Sequence, residues 1–599
     1  MAHRAHLFSL RVGDALRQSC LERPYGSRQL RGDLIAGITV GIIAIPLSMA
    51  LAIASGVPPQ HGLYTAMIAG LVIALTGGSR FSISGPTAAF VVILLPIAQQ
   101  FGLGGLLMAT LLSGLIMIAM ALARLGRLIE YIPEAVTLGF TAGIAIVIAT
   151  LQVDDFLGLG LGPLSGHYWH KAGHLLASLG QTQWPSALTG AVTLLTLILW
   201  KRTGIALPPH LPALLVGTGL ALLLATNGHE QATIGSRFTF SWPDGSAGQG
   251  IPPFWPEFVL PWNMPGPDGQ TVHWGWNNLQ ALLPAAFSIA MLGAIESLLC
   301  AVVLDGMTNS RHSANSELLG QGLGNLLVPF FGGITATAAI ARSAANYRAG
   351  ASSPLAAVIH ALVVMAGLLL LAPVLAQLPM AAMAALLLLV AWNISEADKL
   401  LHFIKTAPRH DILVMLTCLG LTVLFDMVIA IAVGIVLAAL LFMQNVAEMT
   451  RVSDVSTHSR LINEPLPEGW QVFKINGPLF FAAADRIFAE LTLMIRADGH
   501  QRQGIILYLD GVTLLDAGGL AAMSRFIDEA RRQQMQIILT DLQFQPLRAL
   551  ARSGLSAATD VLGAAPTLAD ALQRLNNRAP VADGTLNSDP AQDIRPLHG

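Results

Sequence analysis

The chain has 599 residues, of which 54% are hydrophobic and only 11% are charged, and its formal net charge is −2. Soluble domains carry roughly 25% charged residues, so this composition argues against soluble enzymes, nucleic-acid-binding proteins and disordered chains. The three cysteines, Cys20, Cys300 and Cys418, are too few for a disulfide framework and match no metal site. We therefore expect a membrane protein with no cofactor, metal or nucleic-acid partner.

Charge density divides the chain into two regions. The first 450 residues hold 38 charged side chains, whereas the last 149 residues hold 30. This contrast predicts a membrane domain followed by a water-soluble domain. We expect a cytoplasmic segment at 1–30, a transmembrane domain at 31–450, a linker at 451–468, a soluble domain at 469–578 and a disordered tail at 579–599.

Long uncharged runs predict the membrane helices. These runs cover 34–79, 81–123, 349–395 and 427–447. Because a spanning helix needs about 20 apolar residues, each of the three longest runs holds at least two helices, and the whole region holds about 14 elements. The elements that start at Gly85 and near Arg342 are too short to cross a bilayer alone.

The Lys and Arg residues of the loops predict the orientation, because such residues accumulate on the cytoplasmic side. With the amino terminus inside, only Lys171 and Arg237 fall outside. The cations that fall inside are Arg80, Arg124, Arg127, Lys201, Arg202, Arg311, Lys399, Lys405 and Arg409. We therefore expect both termini in the cytoplasm, a long outside loop at 227–278 and no removable signal peptide.

The soluble region shows strands and helices in alternation. Residues 504–509 form an apolar run typical of a buried strand, a helix is predicted over 518–534, and 536–540 resembles a second strand. Asp516 precedes the predicted helix and is a good residue type to cap it. The pattern indicates a small α/β domain.

Short motifs, taken together and in this order, resemble the SulP family of anion transporters. They are Gly32-Asp33-Leu34-Ile35-Ala36-Gly37, Pro58-Pro59-Gln60-His61-Gly62-Leu63-Tyr64, Ser84-Gly85-Pro86-Thr87-Ala88, Asn315-Ser316-Glu317-Leu318, Gln321-Gly322-Leu323-Gly324-Asn325 and Ile340-Ala341-Arg342-Ser343. In the tail, 477–482 and 516–520 resemble a STAS domain, the usual carboxy-terminal partner in that family. Within the family, the runs 291–300 and 332–342 look closest to the bacterial aerobic C4-dicarboxylate transporter branch.

The resemblance implies a multi-pass α-helical fold of two inverted seven-segment repeats, arranged as core and gate domains like those of uracil transporters. It also implies that segments 3 and 10 are half-helices that meet near the middle of the membrane. The resemblance further implies a homodimer in the bacterial inner membrane. Its STAS domains would lie in the cytoplasm, where they could bind a soluble partner.

The run Gly85-Pro86-Thr87-Ala88 is the first part of the predicted substrate site. Pro86 suits the first position of a helix. A helix that begins inside the membrane presents unpaired N–H groups and a positive dipole end to an anion. The alternative is an ordinary helix kinked by Pro86.

Arg342, with its neighbours Ala341 and Ser343, is the second part of the predicted site. An arginine within an apolar stretch is costly and therefore a functional candidate, and its planar fork can bind a carboxylate. The alternative is a side chain that extends to the membrane surface.

Glu296 lies in the middle of an apolar segment and is the candidate for proton coupling. A carboxylate surrounded by apolar helices can exchange a proton during transport, and the resemblance implies this role. The alternative is a structural partner to a polar group on a neighbouring helix, such as Arg342.

Two positions depart from the family pattern. Leu47 follows Pro46 where many relatives have a glutamine that contacts the substrate, which makes small inorganic anions less certain as cargo. Gly518 stands where related regulatory domains carry a phosphorylated serine, so a phosphoserine switch is chemically impossible there.

These features predict a secondary active transporter that imports C4-dicarboxylates, such as succinate, fumarate or aspartate, by proton symport. Sulfate or bicarbonate is the alternative substrate within the same class. A passive anion channel and a membrane scaffold are the alternatives from other classes, and we predict no enzymatic activity.

Overall fold

The computed structural model describes most of the chain and divides it into two compact units, Met1–Ala438 and Ala439–Gly599. The predicted disordered tail at 579–599 and the predicted loop cations Arg127 and Lys201 lie outside the described residues. The described residues are 10–22, 24–126, 132–162, 166, 168–200, 202–205, 207–242, 246–267, 269–270, 274–425, 427–458, 461–462, 466–497, 503–554 and 562–577.

The first unit is built from long apolar helices. The helices of this region, the last of which runs on into the second unit, are α1 Ser27–Ala54, α2 Pro59–Tyr64, α3 Gly70–Thr76, α4 Ala88–Leu122, α5 Glu134–Leu157, α6 Tyr168–Ser178, α7 Trp184–Trp200, α8 His210–Thr226, α9 Ile234–Arg237, α10 Trp276–Thr308, α11 Ala314–Leu327, α12 Ile340–Arg348, α13 Leu355–Leu375, α14 Met380–Ile394, α15 Ala397–Thr406, α16 Arg409–Leu424 and α17 Met427–Met449. The strands are β1 Ser84–Gly85, β2 Thr239–Ser241, β3 Ala247–Gln249 and β4 Thr337–Ala338.

These helices supply the number of membrane segments that the sequence predicts. A π-helical turn, Thr65–Ala69, joins α2 and α3 into one rod, and a left-handed glycine, Gly102, divides α4 into two. We count α2 and α3 as one segment and α4 as two, and we leave out the short helices α6, α9 and α15. Fourteen segments then lie among the described residues. Among those residues, 7 helices are long and apolar enough to cross a membrane by themselves.

The segments pack as two bundles. In the first bundle α1 packs on α13, and α4 packs on α10 and α11; in the second, α5 packs on α14 and α16, and α7 on α8 and α14. Small residues allow close approach between membrane helices. A Cβ atom at Gly37 would lie 2.6 Å from the Ala356 carbonyl oxygen, and one at Gly41 would lie 2.7 Å from Val363 Cβ.

The amino-terminal segment packs on the membrane helices. Its described part, 10–22, contains a helical turn at Asp14–Leu16 and a π-helical turn at Arg17–Leu21. The N–H of Gly13 donates to the Thr76 carbonyl oxygen at 2.8 Å. Helix α1 begins at Ser27, a few residues before the predicted boundary at residue 31.

The second unit contains a five-stranded sheet with helices on both faces. Its strands, in spatial order, are β5 Arg451–Asp454, β6 Trp470–Asn476, β7 Gly504–Gly511, β8 Gln536–Thr540 and β9 Leu562–Ala565; its helices are α18 Ala484–Ala497, α19 Ala517–Arg532, α20 Phe544–Ser553 and α21 Leu568–Asn576. Strands β6 to β9 are parallel, and β5 is antiparallel to β6. The segment 451–468 is therefore not wholly a linker, because its first four residues form an edge strand.

Alternating side chains of the sheet build two cores. Phe473 and Leu507 face a core shared with α18, α19 and α20. Val472 and Ile506, one residue away along the same strands, face a second core shared with α21. The predicted strands and helix are confirmed, and Asp516 caps α19 by accepting a hydrogen bond from the Gly519 N–H at 2.8 Å.

Candidate anion site

Two short strands from distant parts of the chain meet inside the membrane unit. Strands β1 and β4 are antiparallel, with Ser84 opposite Ala338 and Gly85 opposite Thr337. All four residues are buried. Because β1 leads into α4 and β4 leads into α12, this pairing brings the starts of the third and tenth membrane segments together, as the resemblance implied.

Both helices that follow the strands begin without a side-chain cap. Thr87 is the N-cap residue of α4 and Ala339 is that of α12, and neither side chain accepts from the helix. The Phe90 N–H donates to the Thr87 carbonyl oxygen at 3.3 Å, whereas the N–H groups ahead of it on α4 and those at the start of α12 have no side-chain cap and can serve an anion. The predicted position of Pro86 as the first helical residue is wrong, because Pro86 precedes the cap and α4 begins at Ala88.

Arg342 lies between the two helix starts. Its side chain is 4% exposed, and its Nη2 donates to the Pro86 carbonyl oxygen at 2.6 Å. Its Nε and Nη1 are buried and have no hydrogen-bond partner within the described part of the chain. The side chain therefore turns inward, unlike a snorkelling arginine, and presents N–H groups that need an acceptor.

Gly85 makes room for the guanidinium. A Cβ atom at this position would lie 2.9 Å from Arg342 Nη1 and 3.5 Å from Ala66 Cα. The 2.9 Å approach would require the guanidinium to shift, whereas 3.5 Å is an ordinary van der Waals contact. Glycine at this position therefore allows the arginine to reach the strand pair.

Glu296 reaches the same place from α10. Thr87 Oγ1 donates to Glu296 Oε2 at 2.9 Å, and the glutamate side chain is partly exposed. One turn earlier on the same helix, the Gly293 carbonyl oxygen accepts from Thr337 Oγ1 at 3.1 Å. Among the described residues, no ion pair joins Glu296 to Arg342. The bond from Thr87, at the start of a neighbouring helix, is a contact of the kind that the structural alternative expects.

The other predicted site residues differ in their surroundings. Ala341 is exposed at the start of α12, whereas Ser343 is fully buried and its Oγ accepts from the Ile83 N–H at 2.9 Å. This bond favours a supporting role for Ser343. Leu47 is partly exposed on α1 and, being apolar, can contribute only packing.

Sequence reasoning named Gln321 and Asn325 as motif residues but assigned them no role. Both side chains bind the segments that carry β1 and β4. Their spacing of four residues, which continues the spacing from Glu317 along one face of the helix, is the signal that could have identified them.

This geometry, two helix starts and a buried arginine within a bundle of apolar helices, is a candidate anion site, and comparisons with known proteins identify the family. Residues 30–418 match the sulfate permease family and 463–571 match the STAS domain. The chain belongs to the sulfate permease family, so the SulP resemblance is confirmed, as is the prediction of a transporter rather than an enzyme.

Individual relatives agree with this assignment. The chain is 37% identical to the putative sulfate transporter YvdB of Bacillus subtilis, over 89% of this chain and 95% of that protein. It is 28% identical to the bicarbonate transporter BicA of a Picosynechococcus strain, over 87% and 90% of the two chains.

A solved structure shows the same fold. The murine anion transporter Slc26a9 in its inward-facing state superposes with a TM-score of 0.80 at 19% identity, covering 94% of each chain. These comparisons show an anion transporter of the SulP family with a STAS domain. The two relatives described above are named as sulfate and bicarbonate transporters, and they do not show the finer assignment to the C4-dicarboxylate branch.

Proposed function

We propose that this protein is a secondary active transporter of a small inorganic oxyanion, foremost sulfate, and that Glu296 couples transport to protons. The observation that carries the proposal is the buried guanidinium of Arg342, whose Nε and Nη1 have no acceptor among the described residues and lie beside two helix starts without a side-chain cap. An oxyanion supplies several acceptor oxygens to these donors.

The charges around the site suit a divalent anion. Arg342 contributes one positive charge, and each helix start acts as about half a positive charge, so together they balance about two negative charges. An ionised Glu296 would remove one charge from this balance. Protonation of Glu296 would restore it, which gives a physical reason for uptake of a divalent anion together with a proton.

The names of the relatives support an inorganic substrate. YvdB is named as a putative sulfate transporter and BicA as a bicarbonate transporter. Bicarbonate carries a single charge, so it would match the site with Glu296 ionised, whereas sulfate would match it with Glu296 protonated.

A C4-dicarboxylate such as succinate is the second candidate. The observation that favours it is Leu47, an apolar residue where many relatives offer a polar glutamine. A dicarboxylate is also divalent, so charge alone does not separate it from sulfate. A passive channel would have no need of a protonatable carboxylate beside the site, so Glu296 favours a coupled transporter.

We further infer that both termini lie in the cytoplasm, that the membrane is the bacterial inner membrane and that the protein is a homodimer. The loop cations support the orientation, and the family resemblance supports the membrane and the dimer. A soluble partner of the STAS domain remains an expectation from the resemblance.

Uptake by reconstituted protein tests the proposal. Purified protein in proteoliposomes should accumulate radiolabelled sulfate when an inward proton gradient is imposed, and unlabelled sulfate should compete better than bicarbonate or succinate. If labelled succinate accumulates and sulfate neither accumulates nor competes, the second candidate replaces the first.

A further inference from the structure

A row of three buried polar side chains follows one face of α11. Glu317, Gln321 and Asn325 are spaced by four residues and are 1%, 0% and 0% exposed. Residues four apart lie above one another on a helix, so the three form a continuous polar ladder. We call it the α11 ladder.

Asn325 holds the segment that enters β4. Its Oδ1 accepts from the Ala336 N–H at 2.8 Å, and its Nδ2 donates to the Ala336 carbonyl oxygen at 2.8 Å. The same Nδ2 donates to the Gln321 carbonyl oxygen at 3.0 Å. This two-way bond fixes the peptide immediately before Thr337, the first residue of β4.

Gln321 and Glu317 hold the segment that enters β1. Gln321 Nε2 donates to Ser84 Oγ at 3.0 Å and to Glu317 Oε1 at 3.0 Å. Glu317 Oε2 accepts from the N–H groups of Gly78 and Ser79 at 3.0 and 2.9 Å. The turn before β1 and the first residue of β1 are therefore bound to the same helix face as β4.

We infer that the α11 ladder positions the anion site, with Gln321 and Asn325 as its positioning residues. The inference rests on the proposed function, because it assigns residues that set the geometry of the same site. Strand β1 is followed directly by Pro86, which accepts from Arg342, and β4 begins with Thr337, which donates to α10. A change in the separation of the strands would therefore move the donors that face the anion.

Two variants test the ladder. Asn325→Asp keeps the size of the side chain but loses the N–H that donates to Ala336, and Gln321→Met keeps the length but loses the bond to Ser84. The matched control is Asn315→Asp on the same helix, where a side chain that is 1% exposed accepts from Gly126, away from the strands.

Both variants should raise the apparent KM for sulfate by about tenfold, since one buried hydrogen bond is lost, with the maximal rate within about threefold of wild type. In hydrogen exchange measured by mass spectrometry, peptides covering 81–90 and 334–343 should exchange faster than in wild type. The control keeps the oxygen that accepts from the Gly126 N–H and should change neither quantity.

The exchange measurement does not depend on the substrate. Unchanged exchange and affinity in both variants, or equal changes in the Asn315→Asp control, would overturn the ladder as a positioning device. A wild-type protein that transports no oxyanion would instead overturn the proposed function, and the exchange comparison would still decide the role of the ladder.

Discussion

Gly85 leaves the space that the Arg342 guanidinium occupies, and this makes the glycine testable. In Gly85→Ala, the new methyl group would lie 2.9 Å from the place that Nη1 occupies. The guanidinium must move, and we expect sulfate affinity to fall by about tenfold or more. Gly219→Ala, where a Cβ atom meets nothing within 4 Å, is the control and should bind sulfate normally. Normal sulfate binding by Gly85→Ala would refute the close approach.

The proton-coupling role of Glu296 is a second prediction for a single residue. Glu296→Gln keeps an oxygen that can accept from Thr87 but removes the titrating group. Sulfate uptake should lose its stimulation by an inward proton gradient and its dependence on pH, while some exchange of sulfate remains. Glu134→Gln, at an exposed position on α5, should behave as wild type. Wild-type pH dependence in Glu296→Gln would show that another group carries the proton.

The cap of a single helix can be tested in the STAS domain, which has its own cores. Asp516 caps α19 and its Oδ2 also accepts from the Phe481 N–H at 3.2 Å. In a fragment covering 450–578, Asp516→Ala should lower the free energy of unfolding by about 1 kcal/mol. The midpoint should fall by roughly 4–8 °C in thermal unfolding followed by circular dichroism. Asp528→Ala, exposed on the same helix, should change the midpoint far less. If the two variants lower the midpoint equally, the cap has no special role.

Some elements could be predicted from the sequence because their signals are local. The apolar runs determine the membrane helices, and the alternation of strand and helix in the tail determines the STAS fold. Strand β5 was missed because it pairs with a strand that begins sixteen residues after it ends, and only the sheet reveals its place. The start of α4 at Ala88 rather than Pro86 depends on a difference of two residues, which sequence patterns rarely determine.

The site itself was predictable in part. Arg342 and Glu296 were recognisable as charged residues in apolar helices, and that rarity is a physical signal. The bond from Arg342 to Pro86 and the bond from Gln321 to Ser84 were not recognisable, because each joins residues more than two hundred positions apart in the chain. Only the paired strands bring them together.

At the scale of the whole molecule, the loop cations predict that the long loop containing Ser246 lies outside the cell. Ser246 is exposed, so Ser246→Cys should react with a membrane-impermeant maleimide in intact cells. The native cysteines Cys300 and Cys418 are buried, and a Cys20→Ala background removes the remaining one. If Ser246→Cys reacts only after cell lysis, the loop lies inside the cell and the predicted orientation is wrong.

The central claim is that Arg342 completes a buried anion site, and sulfate binding to purified protein tests it most directly. Arg342→Ala should weaken binding by roughly one to three orders of magnitude, because charge-assisted hydrogen bonds are lost. Arg342→Lys should be intermediate, since it keeps the charge but not the planar donor geometry. Circular dichroism and gel filtration of each variant serve as folding controls. If folded Arg342→Ala binds sulfate as tightly as wild type, the arginine does not bind the anion and the site lies elsewhere.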